Sequence, residues 1–134
     1  MMRKTHFAVG CAATSLLVAT QIVTPIGIVG VLGATASDID YRIGLEHRTT
    51  THSLLALVVS SALISFLNLD IAIAWFINYL LHLICDSFTK TGVPFLYPFI
   101  EKRYGPKLMV TGSSIDYFIA IVSLYIFSEI LILI

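Results

Sequence analysis

FAVGCAATSLLVATQIVTPIGIVGVLG, residues 7–33, runs for 27 residues without a Lys, Arg, Asp or Glu. One membrane-crossing helix needs about 20 apolar residues, so this run is long for a single span. A polar break lies near its middle: Thr20-Gln21, then Thr24-Pro25-Ile26-Gly27. Proline disfavours helix in the residue before it, and glycine permits a turn. Split there, each arm would be only about 18–21 Å long at about 1.5 Å per residue. That is shorter than the roughly 30 Å hydrocarbon core. The stretch therefore predicts a re-entrant or short helical hairpin held among other helices, in preference to two free spans.

Further uncharged runs extend from Thr49 to Leu69, Ile71 to Cys85 and Tyr117 to Ser128. Of 134 residues, 57% are hydrophobic and 12% charged, against about a quarter charged in a soluble domain. These features predict an all-α integral membrane protein. A second helical hairpin is expected over 50–88, turning at Leu67-Asn68-Leu69-Asp70. Thr49, Thr50 or Thr51 would cap its first helix and Asp70 its second. Gly92, Pro94 and Pro98 then open an irregular loop, and a C-terminal transmembrane helix runs from Ser114 to Ile134. Tyr97, Phe99 and Tyr104 in that loop, beside Lys102, Arg103 and Lys107, read as interfacial.

The charges discriminate between the two readings of 7–33. If 7–36 folds back, Arg3, Lys4, Arg42, Arg48, Lys90, Lys102, Arg103 and Lys107 all lie on one side, eight against none; a single crossing splits them two against six. Cytoplasmic loops collect Lys and Arg, so the folded-back arrangement is preferred and its basic face is cytoplasmic. Arg3-Lys4 before the apolar run and Ala34-Thr35-Ala36 after it imitate a cleavable signal. The run is much longer than the usual signal core of about 7–15 residues, which favours a retained segment. No repeat or long linker divides the chain, so residues 1–134 read as a single domain. Eight basic residues balance eight acidic ones, which excludes a broad basic surface for nucleic acid. Cys11 and Cys85 lie in apolar segments and read as small hydrophobes, with no disulfide framework or zinc-knuckle spacing.

Polar groups are costly near lipid, so their placement carries information. His6 precedes the first apolar run, and Asp38 and Asp40 follow it. His47-Arg48-Thr49-Thr50-Thr51-His52-Ser53 opens the second hairpin; His82 and Asp86 close it. His82 and Asp86 at i, i+4 share a helical face and can hold one ion. Asn78, one turn earlier, is placed to orient His82. Asp38 and Asp40 share a side if extended, and such a pair can bridge two cations. An antiparallel hairpin sets His52 at the depth of His82, and a folded-back N-terminus returns His6 to the level of Asp38. Seven candidate metal ligands thus gather at one face: His6, Asp38, Asp40, His47, His52, His82 and Asp86. Mixed imidazole and carboxylate suits a divalent metal, zinc first, then manganese or iron. Seven ligands exceed the needs of one tetrahedral ion, which favours a dinuclear site.

The combination Thr5-His6, Ser37-Asp38-Ile39-Asp40, His47-Arg48, Thr51-His52-Ser53 and His82-Leu83-Ile84-Cys85-Asp86-Ser87-Phe88-Thr89, leading to Gly92-Val93-Pro94, resembles the YdjM-type family over about residues 5 to 110. That family is described as bacterial inner-membrane, metal-dependent hydrolases, some under SOS-repressor control. Ser37 stands where the family usually has proline, and Thr49 where it often has glycine. Both differences bear on loop stiffness more than on ligand identity. The resemblance implies a multi-pass protein of the bacterial inner membrane with the seven residues above at its site. The hydrolase label rests on a looser likeness to zinc-dependent phospholipase C.

Two function classes follow. The first is a membrane-embedded metal-dependent hydrolase of a phosphoester, small or lipid-linked, at the cytoplasmic face. Asp38 or Asp40 would bridge the metal or act as general base, and Arg48 or Lys90 would bind the phosphate. The second is a non-catalytic membrane scaffold or regulator in which metal only ties loops together. A transporter fits less well, because no charged relay crosses the middle of the helices. Membrane lipids are the expected surroundings, and no oligomeric state is implied.

Overall fold

A computed structural model describes residues 1–40, 44 and 48–133. Five α-helices lie among them: α1 (Arg3–Ala19), α2 (Gly33–Ala36), α3 (Leu54–Ser65), α4 (Leu69–Ser87) and α5 (Ser114–Leu133). Short 3₁₀ segments occupy Pro25–Leu32, Ser37–Ile39 and Thr50–His52. No strand forms among the described residues; two isolated bridges, Thr89 with Met109 and Val93 with Tyr104, tie down the loop between α4 and α5. The helices α4 and α5 are long and apolar enough to cross a membrane, whereas Pro25–Ile39 and Leu54–Ser65 are apolar but shorter.

The chain reverses between α1 and Pro25, and the following segment packs on both α1 and α4. Its sequence explains why that segment is 3₁₀ and not α. Gly27, Gly30 and Gly33 recur every third residue, and only a helix with three residues per turn stacks them in one line. That line seats against the α4 backbone. A Cβ on Gly30 would stand 2.5 Å from Ala74 Cβ and 2.6 Å from Trp75 N; one on Gly33 would stand 2.6 Å from Trp75 O. The 3₁₀ rise of about 2.0 Å per residue makes this arm longer than an α-helical reading allows. Opposite it, Gly10 lets α1 approach: a Cβ there would lie 2.5 Å from Ala34 Cβ. Small residues at helix contacts are how membrane helices gain packing without a hydrophobic drive.

The caps differ from those expected. Ser53, not a threonine of 49–51, caps α3 by accepting from Ala56 N–H at 3.1 Å. Residues 50–52 are already coiled as a 3₁₀ turn, so the first free amides of α3 lie beyond them. Asn68 caps α4, accepting from Ile71 N–H at 3.0 Å. Asp70 instead accepts from the Thr24 amide at 3.1 Å and the Thr24 hydroxyl, pinning the first reversal to the start of α4. Asn78 does not orient His82. Its amide donates to Thr14 Oγ1 at 2.8 Å, Ala74 O at 2.8 Å and Gly30 O at 3.4 Å, joining α1, the 3₁₀ arm and α4. Such interhelical bonds contribute about 0.6 kcal/mol on average in membranes.

The distribution of polarity is inverted relative to a soluble domain. Thr5, His6, Asp40, His52, Asn78, His82, Asp86 and Asp116 are buried, while Leu63, Phe66, Phe118, Ile121 and Tyr125 lie outside. On α5 only Asp116 and Ser123 are buried. A small apolar cluster of Leu57, Tyr79, Leu83 and Val93 supports the α3–α4 pair beneath the polar end.

Candidate metal centre

The polar end is assembled from five pieces of chain: the first turns of α1, Ser37–Asp40, Arg48–Ser53, the end of α4, and the start of α5. Asp116 fastens two of these pieces. Its Oδ2 accepts from Met2 N–H at 3.0 Å and Gly112 N–H at 2.9 Å. That contact seats the N-terminus, and the Met1 ammonium donates to Asp86 Oδ1. Tyr79 donates its hydroxyl to the Thr51 carbonyl, which holds the 3₁₀ turn carrying His52 against α4.

His82 Nδ1 lies 2.7 Å from the Ala34 carbonyl. A carbonyl only accepts, so Nδ1 carries the proton and Nε2 is left as a lone pair. His52 is oriented the same way. Its Nδ1 lies 3.4 Å from Asp40 Oδ2 and 3.2 Å from Thr51 Oγ1. Thr51 in turn donates to the same Asp40 oxygen at 3.0 Å. Nδ1 of His52 thus faces a carboxylate, which turns its Nε2 toward His82. The two Nε2 atoms face each other at 3.3 Å. Nε2 atoms this close can share a single proton or ligate a single cation.

Each of two carboxylates closes a triangle on this nitrogen pair. Asp38 Oδ1 is 3.8 Å from His52 Nε2 and 3.7 Å from His82 Nε2. Asp86 Oδ2 is 3.5 Å and 3.6 Å from the same atoms. Ligands about 2.0–2.2 Å from a tetrahedral ion are roughly 3.3–3.6 Å from one another. The donor set and its spacing thus fit a divalent ion. Two triads qualify, Asp38 with His52 and His82, and His6 with His82 and Asp86, all of them buried. They share His82, whose Nε2 has one lone pair, so both triads cannot be filled at once.

His6 stacks on His82 with ring centroids 3.7 Å apart, and its Nε2 is 3.0 Å from Asp86 Oδ1. Its buried Nδ1 has no hydrogen-bond partner among the described residues. Asp86 is engaged most heavily: Arg48 reaches Oδ2 at 3.1 Å while its other terminal nitrogen donates to Thr89 Oγ1 at 2.9 Å. The Arg48 backbone has φ 60, and its amide donates to Asp40 Oδ2 at 3.1 Å. Glycine, common at such a φ, is the residue the resemblance places next door at 49.

Asp38 and Asp40 do not share a side. Ser37–Ile39 is a 3₁₀ turn and not an extended strand, so the two carboxylates straddle His52. Asp38 faces the Nε2 pair, and Asp40 lies behind the ring at Nδ1. Both belong to the same cluster with different neighbours. His47 lies outside the described residues.

A cleft of about 840 Å³ opens onto this end, lined by Arg3, Asp38, Arg48, Thr91, Arg103 and Thr111 together with Met1 and Met2. Asp38 is thus the acidic member of the cluster that the cleft reaches. Arg103 lines it and Lys90 does not. The role of Arg103 was not visible in the sequence, where it reads as one more interfacial cation. Its place follows from the Val93–Tyr104 bridge, with N···O distances of 2.9 Å both ways, which folds the loop back over the site. Gly105 makes that return possible, since a Cβ there would stand 2.0 Å from Ser87 O.

No curated protein matches the chain, and no solved structure does. A family model does match, over residues 1–133. With its whole described length aligned and its histidines and aspartates collected at one end of an all-helical fold, the chain belongs to the YdjM inner membrane protein family.

Proposed function

We propose that the protein is a metal-dependent hydrolase of a phosphoester, acting at the cytoplasmic face of the inner membrane. The observation that carries this reading is the buried convergence of His52 Nε2, His82 Nε2 and Asp38 Oδ1, mutually 3.3–3.8 Å apart, beside a cleft walled by Asp38 and arginines. In this reading His52, His82 and Asp38 hold one divalent ion, zinc by donor chemistry, with manganese or iron next. Bound there, the ion would supply Lewis acidity toward a phosphoryl oxygen and a lowered pKa for coordinated water.

The chain's own residues do the rest. Asp40 and the Ala34 carbonyl hold the two imidazoles in the ligating tautomer. Arg48 neutralises Asp86 and borders the cleft, and Arg3 and Arg103 add positive charge where a phosphate would enter. Burial excludes bulk water from the imidazole pair. The helices α4 and α5 cross the bilayer, with α1 and its return arm packed beside them as a hairpin, so the protein is multi-pass. The site then lies at headgroup depth, which favours a lipid-linked substrate.

Hydrolysis of labelled phospholipids and isoprenoid phosphates by the purified protein in detergent tests this reading. Turnover lost in Asp38→Ala and His82→Ala is expected; turnover unchanged in both overturns it. A structural centre without turnover is a second reading. It is favoured by the closure of Asp86, which already meets His6, Arg48 and the Met1 ammonium. Metal that binds tightly and raises stability while no phosphoester is cleaved would support it.

A further inference from the structure

A second cleft, of about 290 Å³, shares Arg3 and Asp38 with the first and is otherwise lined by Leu32, Thr35, Ala36, Ile39 and Trp75. It runs between the return arm and α4, on the apolar flank of the fold. Leu32 and Ile39 are half exposed there, at 54% and 50%. Apart from Arg3 and Asp38, the polar side chains in its walls are turned to partners within the protein. The Thr35 hydroxyl donates to the Leu32 carbonyl at 3.5 Å, and Trp75 Nε1 donates to Ser60 Oγ at 3.1 Å. Away from Arg3 and Asp38 the groove therefore offers mainly apolar side chains. At its inner end it meets the basic, polar cleft at Arg3 and Asp38. Amphiphiles match such a junction: a hydrocarbon chain in the dry groove, an anionic headgroup among Arg3 and Arg103.

We propose that this groove is the binding site for the apolar chain of an anionic phosphoester lipid whose headgroup enters the arginine cleft. The proposal rests on the hydrolase reading for the fate of the phosphate, but lipid lodging is measurable without turnover. Three features support the lipid as occupant. The groove shares Arg3 and Asp38 with the charged cleft, half-exposed Leu32 and Ile39 form its apolar wall beside Trp75 of α4, and it holds a guanidinium 3.8 Å from Asp38. A soluble phosphate would use only the polar cleft and leave the groove empty.

Trp75 is the chain's single tryptophan and lines the groove, so its fluorescence reports the occupant. The protein would be placed in phosphatidylcholine nanodiscs containing a minor fraction of phosphatidic acid brominated along its acyl chains. Bromine quenches indole on contact. The expected result is saturable quenching at least about fivefold stronger than that from equally brominated phosphatidylcholine, the factor each of the two arginines can contribute at an anionic headgroup. Arg3→Gln with Arg103→Gln should reduce it to the phosphatidylcholine level, and Ala36→Phe should reduce it by filling the groove. Equal quenching by both lipids in the unaltered protein means bulk contact only and overturns the proposal. Unaltered quenching in Ala36→Phe that retains its fold, judged by circular dichroism, overturns it as well. Selective quenching without hydrolysis leaves the groove standing and removes the hydrolase; hydrolysis of a soluble phosphoester with no selective quenching does the reverse.

Discussion

His52 Nε2 faces His82 Nε2 across 3.3 Å, each imidazole fixed by an acceptor on its opposite nitrogen. The two rings come from the 3₁₀ turn before α3 and the last turns of α4, thirty residues apart in sequence. Nothing in either helix alone requires them to meet. With Asp38 Oδ1 3.7–3.8 Å from both, they form a buried three-donor set suited to one divalent ion.

The first prediction concerns stoichiometry. Since His82 belongs to both triads, purified protein should bind one divalent ion per chain by elemental analysis. His82→Ala should abolish it, and His6→Ala should weaken it less than His52→Ala. Two ions per chain in the unaltered protein would refute the sharing argument.

Asp40 acts through His52, so Asp40→Asn should leave the helices intact and weaken metal binding by roughly 10–100-fold, the usual effect of losing a carboxylate behind a ligating histidine. Isothermal titration with zinc measures it. Affinity within a factor of two of the unaltered protein would place Asp40 outside the metal's surroundings.

Arg48 makes separate contacts with its two terminal nitrogens, to Asp86 and to Thr89. Lysine keeps the charge but cannot make both. Arg48→Lys should therefore lower kcat/KM for a phosphoester by about 10–100-fold, corresponding to one charge-assisted hydrogen bond of roughly 1.5–3 kcal/mol. Steady-state kinetics on a labelled phospholipid provides the measurement, with thermal unfolding in parallel to separate lost function from lost fold.

Gly30 and Gly33 touch the α4 backbone directly. Gly30→Ala should destabilise the protein by about 1–3 kcal/mol, the range for overpacked contacts. Leu32→Ala, on the half-exposed side of the same arm, should change stability by no more than about 1 kcal/mol. Unfolding in detergent, read by circular dichroism, distinguishes the two. Equal effects would mean that the glycine line is not the seat of the arm.

Metal binding to the folded state alone should raise stability by about 2.7 kcal/mol at a free concentration of 100 times Kd. Tm in detergent should rise on adding zinc and fall again with a chelator. His82→Ala should show neither change.

Composition and apolar run length were enough to read an all-helical membrane protein, because the bilayer permits few other ways to satisfy a backbone. The i, i+4 spacing of His82 and Asp86 was equally legible, since helix geometry alone puts them on one face; they lie 3.6 Å apart. The glycine period of three was present in residues 27, 30 and 33 but carries meaning only once α4 lies against it. Asp70 and Asn78 read as a cap and a histidine partner, whereas tertiary contacts turned them to Thr24 and Thr14. Asp40 reads as a ligand in an extended segment, and a 3₁₀ turn moved it behind His52. The residue types at the centre were thus determined by sequence, because imidazole and carboxylate carry their chemistry with them. Which nitrogen carries a proton, which oxygen faces the cleft and which arginine reaches it were decided by tertiary structure, because each depends on a partner from a distant part of the chain.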